Sequence, residues 1–212
     1  MTSPQFNTSL PTSTETLLSR LLEKTVRRSQ ALDTESLCLI AGSKVWSIRA
    51  DVHVLSHDGN LTDAACIGVI SALNHFRKPD TSTEGESITV YTAAEREPVP
   101  LSLLHMPLCI TFSFYSGNGV EDDERVLIDT NLLEEGMRDG VCTVGMNRHG
   151  EVCQIAKLGG APVDAVALLH CINVAAVKVK EISAFITKKL AEDAKKRDKG
   201  GLLAELSAEN AR

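Results

Sequence analysis

The chain has 212 residues with a net charge of −6, and 43% of its residues are hydrophobic while 24% are charged. This composition is ordinary for a globular protein and excludes a wholly disordered chain. The acidic balance argues against a general basic coat for nucleic acids, although a local basic face is compatible with it. The most apolar stretch, residues 163–179, contains Asp164, His170, Asn173 and Lys178, so no membrane segment is expected.

The N-terminus and the cysteines favour a cytosolic or nuclear protein. Residues 1–16 have neither the apolar core of a secretory signal nor the basic residues of a mitochondrial presequence. The cysteines form no C-x-x-C pair, which indicates reduced and mostly buried thiols. They are Cys38, Cys66, Cys109, Cys142, Cys153 and Cys171. Because no ligand pair has the spacing of a zinc site, no metal and no cofactor is expected.

The first predicted element is a helix with a basic face. Residues 1–13 are predicted to form a flexible tail, and the helix begins near Thr14 with leucines along one side. Four cations lie on the other side at spacings of i, i+4, i+7 and i+8: Arg20, Lys24, Arg27 and Arg28. Such a face can contact the phosphates of a sugar-phosphate backbone without reading sequence, although on pattern alone a solvated surface is the more common meaning.

Two strands and a second helix are predicted next. The strands cover residues 36–41 and 46–54, and the second of them alternates apolar and polar residues with a period of two. Gly42-Ser43 is predicted to form a hairpin turn between them. A turn at residues 57–60 then leads into a helix that runs from Thr62 or Asp63 to Phe76.

The remaining chain is predicted to hold several strands and one long helix. Residues 80–106 are mostly loop with one short strand, residues 88–91. Four further strands are expected at residues 108–115, 126–129, 141–146 and 151–158. An acidic loop, residues 117–124, joins the first two, and the other two form a hairpin around residues 147–150. A helix over residues 163–196, with a buried first half and a solvated second half, ends at Gly200-Gly201. The order predicts an α+β fold with a mixed sheet.

Other groups could carry chemistry, but an ordinary structural role is favoured for each. They are the acidic run Asp129, Glu134 and Glu135, the strand histidines His53 and His57, the helical neighbours His170 and Cys171, and the turn Asp58-Gly59-Asn60. The acidic run is predicted to be a solvated surface. Two histidines at i and i+4 do not converge on one metal ion when they lie in a strand. Helix neighbours point about 100° apart, and the carboxylates of Asp58 and Asp63 would repel an anion at the turn.

Several motifs in the same order resemble a known family. They are Leu32-Asp33-Thr34-Glu35-Ser36-Leu37-Cys38, Lys44-Val45-Trp46, Ile48-Arg49, His57-Asp58-Gly59-Asn60, Asp63-Ala64-Ala65, Glu97-Pro98-Val99-Pro100-Leu101, His105-Met106-Pro107, Glu134-Glu135, Asp139-Gly140 and Gly159-Gly160. Together they span roughly residues 17–201. They are similar to RNase PH-like domains, and most closely to the non-catalytic ring subunits of the RNA exosome.

The resemblance implies a fold and a setting. The fold is the two-layer RNase PH fold, a βαβ arrangement like domain 2 of ribosomal protein S5, over residues 14–200 with a tail at residues 201–212. The family's opening strands precede this helix and are absent here, so the resemblance implies an N-terminally truncated domain. The implied partners are other RNase PH-like ring subunits, S1/KH cap subunits, an associated catalytic exoribonuclease and single-stranded RNA. The implied compartments are the nucleus, nucleolus and cytoplasm, and the implied role is in rRNA maturation and mRNA turnover.

The resemblance also bears on catalysis. Active members use phosphate to shorten RNA from its 3′ end, with an arginine that holds the phosphate and a catalytic aspartate. The corresponding positions here are Thr62 and Val141, so no catalytic residue is expected. Arg20, Lys24 and Arg27 match positions that line the RNA path in ring subunits of this kind, and Arg28 is adjacent. Two alternatives stay open: an active phosphate-dependent 3′–5′ exoribonuclease, and a truncated relative that no longer assembles.

Overall fold

The computed structural model of the chain describes residues 13–85, 87–116 and 125–197. The predicted tails at residues 1–13 and 201–212 lie outside this range except for Ser13, and so do the acidic loop at residues 117–124 and the Gly200-Gly201 helix end. None of the described helices is both long and apolar enough to cross a membrane.

Helices and strands alternate along the chain, and this mixture confirms the α+β class. The helices are α1 (Ser13–Glu23), α2 (Leu61–His75), α3 (Leu132–Met137) and α4 (Ala165–Arg197). The strands are β1 (Cys38–Ile40), β2 (Lys44–Val45), β3 (Arg77–Lys78), β4 (Thr81–Glu84), β5 (Ser87–Val90), β6 (Val99–Pro100), β7 (Leu108–Tyr115), β8 (Arg125–Ile128), β9 (Gly140–Met146) and β10 (Val152–Gly160).

A four-stranded antiparallel sheet in the order β10-β9-β7-β8 forms the centre of the fold. These are the four strands that the sequence predicts in its second half, and all four are confirmed. The prediction of a mixed sheet is wrong, because every strand pair in the described residues is antiparallel. β7 is buried at its first seven positions, and because successive side chains point to opposite faces, both faces of this strand are covered. Helices α2 and α4 both contact β7, and the core between them includes Ile70, Phe112 and Val179.

The first helix is confirmed, but its last turn is wider than an α-helical turn. Residues Lys24–Arg28 form a π-helical turn, in which the Ala31 N–H donates to the carbonyl of Val26, five residues earlier. The Thr25 hydroxyl donates to the carbonyl of Leu21 at 2.9 Å, and both side chains are buried. The helical path of α1 therefore continues through the π turn to Arg28, and Thr25 stays in the core.

The predicted strand at residues 46–54 is wrong, although the hairpin before it is confirmed. β1 and β2 pair antiparallel around Gly42, whose φ of +72° suits a tight turn. Beyond β2 the chain has the alternating pattern of a strand but pairs with no described strand. A strand exists only where a partner accepts its backbone hydrogen bonds, and a sequence pattern does not supply that partner.

Two further predictions need correction. Residues 80–106 contain three short strands rather than one: β4 and β5 form a hairpin, and β6 pairs with β3. The residues of β4 are polar, so its sequence does not indicate a strand. The first half of α4 is not wholly buried: the exposed fractions of Val166, Leu169 and Val177 are 72%, 61% and 56%. A helix that packs on one side of a sheet buries one stripe of residues and leaves the opposite stripe to solvent.

Candidate nucleic-acid interface and phosphate position

The four predicted RNA-contact residues are all exposed on α1 and its π turn. The guanidinium of Arg27 pairs with the Glu23 carboxylate at 3.2 Å. Arg20, Lys24 and Arg28 form no ion pair with any residue of the described chain. The site is therefore a row of three unpaired cations beside one paired arginine. An exposed ion pair contributes little stability, so Arg27 can exchange Glu23 for a phosphate at small cost.

The turn before α2 is held in a left-handed conformation against the loop before α3. Gly59 and Asn60 have φ values of +96° and +45°. A Cβ at Gly59 would lie 2.2 Å from the carbonyl oxygen of Thr130, closer than any real contact. Only glycine permits this approach, and the approach brings the start of α2 to the acidic run that follows β8.

The N-terminus of α2 holds a carboxylate of the chain itself. The Asn60 N–H donates to Glu135 Oε1 at 3.1 Å, and the Asn60 side chain donates to Asp129 Oδ1 at 2.9 Å. Arg138 pairs with the same Glu135 oxygen at 3.3 Å. Helix N-termini attract anions, and here the anion position belongs to Glu135. The prediction of a solvated acidic run holds for Asp129, which is exposed, but is wrong for Glu135, which is half-buried and bridges two elements.

Glu134, the third member of the acidic run, caps α3. Its backbone N–H donates to the side chain of Asn131 at 2.9 Å, and its carboxylate accepts the Asn131 N–H at 2.8 Å. This reciprocal pair is a capping box, which the Asn-x-x-Glu spacing in the sequence could have revealed. Tyr115 donates its hydroxyl to the Glu134 carbonyl at 2.9 Å and ties the cap to β7. Glu134 thus has a structural role.

A buried polar cluster joins α2 to the central sheet. Asp63 accepts hydrogen bonds from the N–H and the hydroxyl of Thr111 at 2.8 and 2.7 Å. The Thr111 and Thr143 hydroxyls lie 3.1 Å apart, and so do those of Ser113 and Thr130. Burial raises the pKa of Asp63 to about 6, against the lowering effect of the bonds from Thr111. Sequence reasoning missed this cluster, although Thr111 and Ser113 interrupt the apolar run of β7.

The two positions that the resemblance linked to catalysis carry no charge. Thr62 is half-buried in the first turn of α2. Val141 pairs with Ser113 in the β7–β9 register and is also half-buried. Arg138 lies beside this corner and pairs with Glu135. The corner therefore holds the carboxylates of Asp129 and Glu135 together with one paired arginine.

The other candidate groups do not converge on a site. In residues 13–85, 87–116 and 125–197, no three or more His, Cys, Asp or Glu side chains are grouped to hold a metal ion. His170 is exposed whereas Cys171 is buried, so the two neighbours face different surroundings. His53 and His57 lie on the unpaired segment after β2.

Comparisons with known proteins match this fold. Residues 1–79 match domain 1 of the 3′ exoribonuclease family, and residues 105–178 match domain 2. A relative from Saccharomyces cerevisiae is 48% identical over 205 residues, which are 93% of this chain and 67% of the relative. The chain therefore belongs to the RNase PH family of 3′ exoribonucleases. The family resemblance and the RNase PH fold expected from the motifs are confirmed.

Within this family the chain is similar to one kind of subunit. The yeast relative is exosome complex component RRP45. The human exosome complex component RRP45, the polymyositis/scleroderma autoantigen, is 45% identical over 95% of this chain and 45% of its own length. The zebrafish relative of the same name is 45% identical, and the chain spans 50% of it. The chain thus spans about half the length of its vertebrate relatives and two thirds of the yeast one.

Solved structures agree with the fold. A chain of the Archaeoglobus fulgidus exosome, solved with RNA bound to the active site, superposes with a TM-score of 0.67 at 26% identity. The match covers 85% of this chain and 65% of that chain. An archaeal exosome core chain superposes with a TM-score of 0.63 at 23% identity, which bears on the fold alone.

Proposed function

We propose that this chain is a structural, non-catalytic subunit of the exosome core ring that supports 3′–5′ RNA processing and degradation. The observation that carries the proposal is its 48% identity, over 93% of its length, to a yeast exosome component. Its partners are other RNase PH-like ring subunits, cap subunits with S1/KH domains and an associated catalytic exoribonuclease. It acts in the nucleus, nucleolus and cytoplasm, in rRNA maturation and mRNA turnover.

The absence of catalysis is supported by the charge at the start of α2. Phosphorolysis requires that inorganic phosphate is held by cations next to the 3′-terminal phosphodiester. The Glu135 carboxylate accepts the Asn60 N–H at 3.1 Å, and its negative charge at the start of α2 would repel an approaching phosphate. Thr62 and Val141 add no compensating charge. The alternative function, an active phosphate-dependent exoribonuclease, lacks support from these groups.

Contact with single-stranded RNA is assigned to the basic face of α1. Arg20, Lys24 and Arg28 are exposed and lack ion-pair partners in the described part of the chain, and Arg27 has one exposed partner. Cations along one side of a helix follow a sugar-phosphate backbone and release its counterions, which gives affinity without sequence preference. This face guides RNA along the ring.

Membership of the ring is tested by purification of the tagged chain from its own cells at moderate salt. We expect RNase PH-like and cap subunits to accompany it in stoichiometric amounts. Recovery of the chain alone, aggregated or bound to chaperones would contradict the proposal and favour the truncated relative that does not assemble. Phosphate-dependent shortening of RNA by the chain with a catalytically inactive ring partner would contradict the non-catalytic role.

The RNA contact is tested by charge removal in the assembled ring. We expect Arg20→Ala with Lys24→Ala to weaken RNA binding and to reduce the slope of log affinity against log salt by about 0.7 per lost phosphate contact. The matched control removes two exposed cations of α4, Lys188→Ala with Lys195→Ala. An unchanged slope for the α1 variant, or an equal reduction for the α4 variant, would count against the assignment.

A further inference from the structure

The turn between β9 and β10 is built around a buried asparagine. Asn147 is 2% exposed, and its side-chain oxygen accepts the N–H groups of His149 and Glu151, both at 3.0 Å. The Asn147 backbone N–H donates to the Glu151 carbonyl, and the Asn147 carbonyl accepts the Gly150 N–H. Because one buried residue fixes the backbone on both sides of the turn, the two residues at its tip, Arg148 and His149, are held in place.

The tip of this turn presents a cation that no carboxylate neutralises. Arg148 and His149 are exposed, and neither forms an ion pair within the described chain. The nearest carboxylate in the sequence, Glu151, instead accepts the Asn147 side-chain N–H at 2.6 Å. The Arg148 Nε–H donates to His149 Nε2 at 3.3 Å. His149 thus orients the guanidinium, whose terminal nitrogens have no partner among the described residues.

The end of α1 lies at the same end of the sheet as this turn. The Thr25 hydroxyl lies 3.4 Å from the Cys109 sulfur, and Cys109 pairs with Gly145 near the end of β9. Further along, the Ser29 carbonyl lies 2.8 Å from Nε2 of His105, just before β7. The π turn also contacts β10. Since β7 begins where β9 ends, α1 runs along the sheet toward the β9–β10 turn.

The unpaired cations of α1 form a row in this direction. Leu21 and Thr25 are buried in the core, and a cation precedes each of them, so the cationic row lies about 100° round the helix from the buried row. The opposite flank holds Val26, which packs in a small hydrophobic cluster with Leu73 of α2. The row therefore lies on the side of α1 away from α2, in steps of about 6 Å. Its members are Arg20, Lys24 and Arg28.

We propose that Arg148, oriented by His149, extends the RNA-contact face of α1, and that one single strand of RNA passes from the cationic row onto the β9–β10 turn. The extension rests on the RNA role proposed for α1 and adds one phosphate contact to it. An arginine side chain can bind a phosphate through two parallel N–H donors. In Arg148 these donors are the terminal guanidinium nitrogens, because the Nε–H is already directed to His149.

The composition of the turn favours RNA over an acidic protein as the partner. The four residues Asn147-Arg148-His149-Gly150 include no apolar side chain. Specific protein interfaces have an apolar centre that excludes water, and this turn cannot supply one. A polyanion with regularly spaced phosphates needs only cations and hydrogen-bond donors in a row, which α1 and the turn provide together.

The experiment measures the RNA affinity of the assembled ring as a function of salt concentration. We expect Arg148→Ala to reduce the slope of log affinity against log salt by about 0.7, as for one lost phosphate contact, and Arg148→Lys to keep the slope because it keeps the charge. The bonds of Asn147 hold the turn in both variants. The matched control is Lys180→Ala, which removes an exposed cation of α4 that has no ion pair in the described ranges. An unchanged slope for Arg148→Ala, or an equal reduction for the control, would overturn the extension.

The Arg20→Ala, Lys24→Ala double variant separates the extension from the RNA role of α1. We expect the double variant and Arg148→Ala each to reduce the slope, with the reductions adding when the three substitutions are combined. A reduction by the double variant but not by Arg148→Ala would mean that the RNA does not reach the turn, so that only the extension is wrong. No reduction by any of these variants would contradict the RNA role of α1 as well. A reduction by Arg148→Ala alone would also overturn the extension, because the turn would then bind RNA without α1.

Discussion

At the scale of single residues, burial decides what the charged groups can do. Asp63 is 5% exposed, and its carboxylate accepts two hydrogen bonds from Thr111. Burial disfavours the charged form and raises its pKa to about 6. The sequence shows only an aspartate near a helix start, which is normally solvated. Its environment depends on Thr111, which lies 48 residues away in the chain.

The raised pKa of Asp63 predicts how stability depends on pH. The folded state holds this proton up to a pH of about 6, whereas the unfolded chain releases it near pH 4, so the contribution of Asp63 to stability is lost as pH rises between these values. We expect the free energy of unfolding of the wild type, relative to Asp63→Asn, to fall by about 2 kcal/mol from pH 4 to pH 7. Urea unfolding at each pH measures this difference.

An aspartate with the opposite shift is the control for Asp63. The hydrogen bond from Arg96 lowers the pKa of Asp80, which lies on the surface. The difference between the wild type and Asp80→Asn should therefore be smaller and should rise with pH, since the folded state loses this proton first. A difference for Asp63→Asn that is flat or rises with pH would contradict the role given to burial.

At the scale of elements, the turn before α2 and the helix α3 form one unit. Gly59 lies against the Thr130 backbone, Asn60 bonds to Asp129 and Glu135, and the Asn131 cap starts α3. This unit places the Glu135 carboxylate at the start of α2. The sequence analysis predicts the turn and α2, because their patterns are local. It predicts neither α3 nor the contact of α3 with the turn, which joins residues 75 positions apart.

Two glycine substitutions measure this contact. Gly42 and Gly59 both have positive φ values, of +72° and +96°, but a Cβ at Gly42 meets nothing within 4 Å. Gly42→Ala should cost about 1 kcal/mol of stability, from backbone strain alone. Gly59→Ala should cost about 3 kcal/mol or more, because the new Cβ also collides with the Thr130 carbonyl. If urea unfolding gave equal losses of stability for the two variants, Gly59 would have no close contact with the loop that contains Thr130.

The pairing of strands shows the same division between local and distant information. The sequence predicts the β9–β10 hairpin and the first and last residues of β7 from alternating residues and a turn motif. The structure confirms these predictions. Residues 46–54 have an equally clear alternation and form no strand, because beyond the Trp46 N–H no backbone group of this segment has a backbone partner in the described chain. Periodicity predicts which face is apolar, while pairing depends on what lies beside the segment.

At the scale of the whole molecule, the core encloses most of the thiols. Cys66, Cys109, Cys142 and Cys171 are buried, Cys153 is half-buried and Cys38 is exposed. The four buried cysteines lie on α2, β7, β9 and α4. Their protection from thiol reagents therefore measures how closely the two helices pack on the sheet. The prediction of mostly buried cysteines is confirmed for four of the six, and no two of these cysteines form a disulfide in the described chain.

Thiol labelling of the native chain tests this core. Burial raises the pKa of Cys142 and Cys153, which lowers their reactive thiolate fraction as well as their access to reagent. We expect one fast thiol, removed by Cys38→Ser, one slow thiol from Cys153, and four that react only after unfolding. Fast reaction of three or more thiols would contradict the packing of the helices on the sheet.

The sequence by itself determined the class of fold, the family and most of the helices and strands, because these depend on local periodicity and on motifs in a fixed order. It also predicted the loss of charge at Thr62 and Val141. Only the tertiary structure decided that Glu135 occupies the start of α2, that Asp63 is buried against Thr111, and that residues 47–57 have no backbone partner in the described chain. Each of these depends on groups that are far apart in the chain or on the absence of a neighbouring group. Such features do not change the periodicity of the sequence, so the sequence does not predict them.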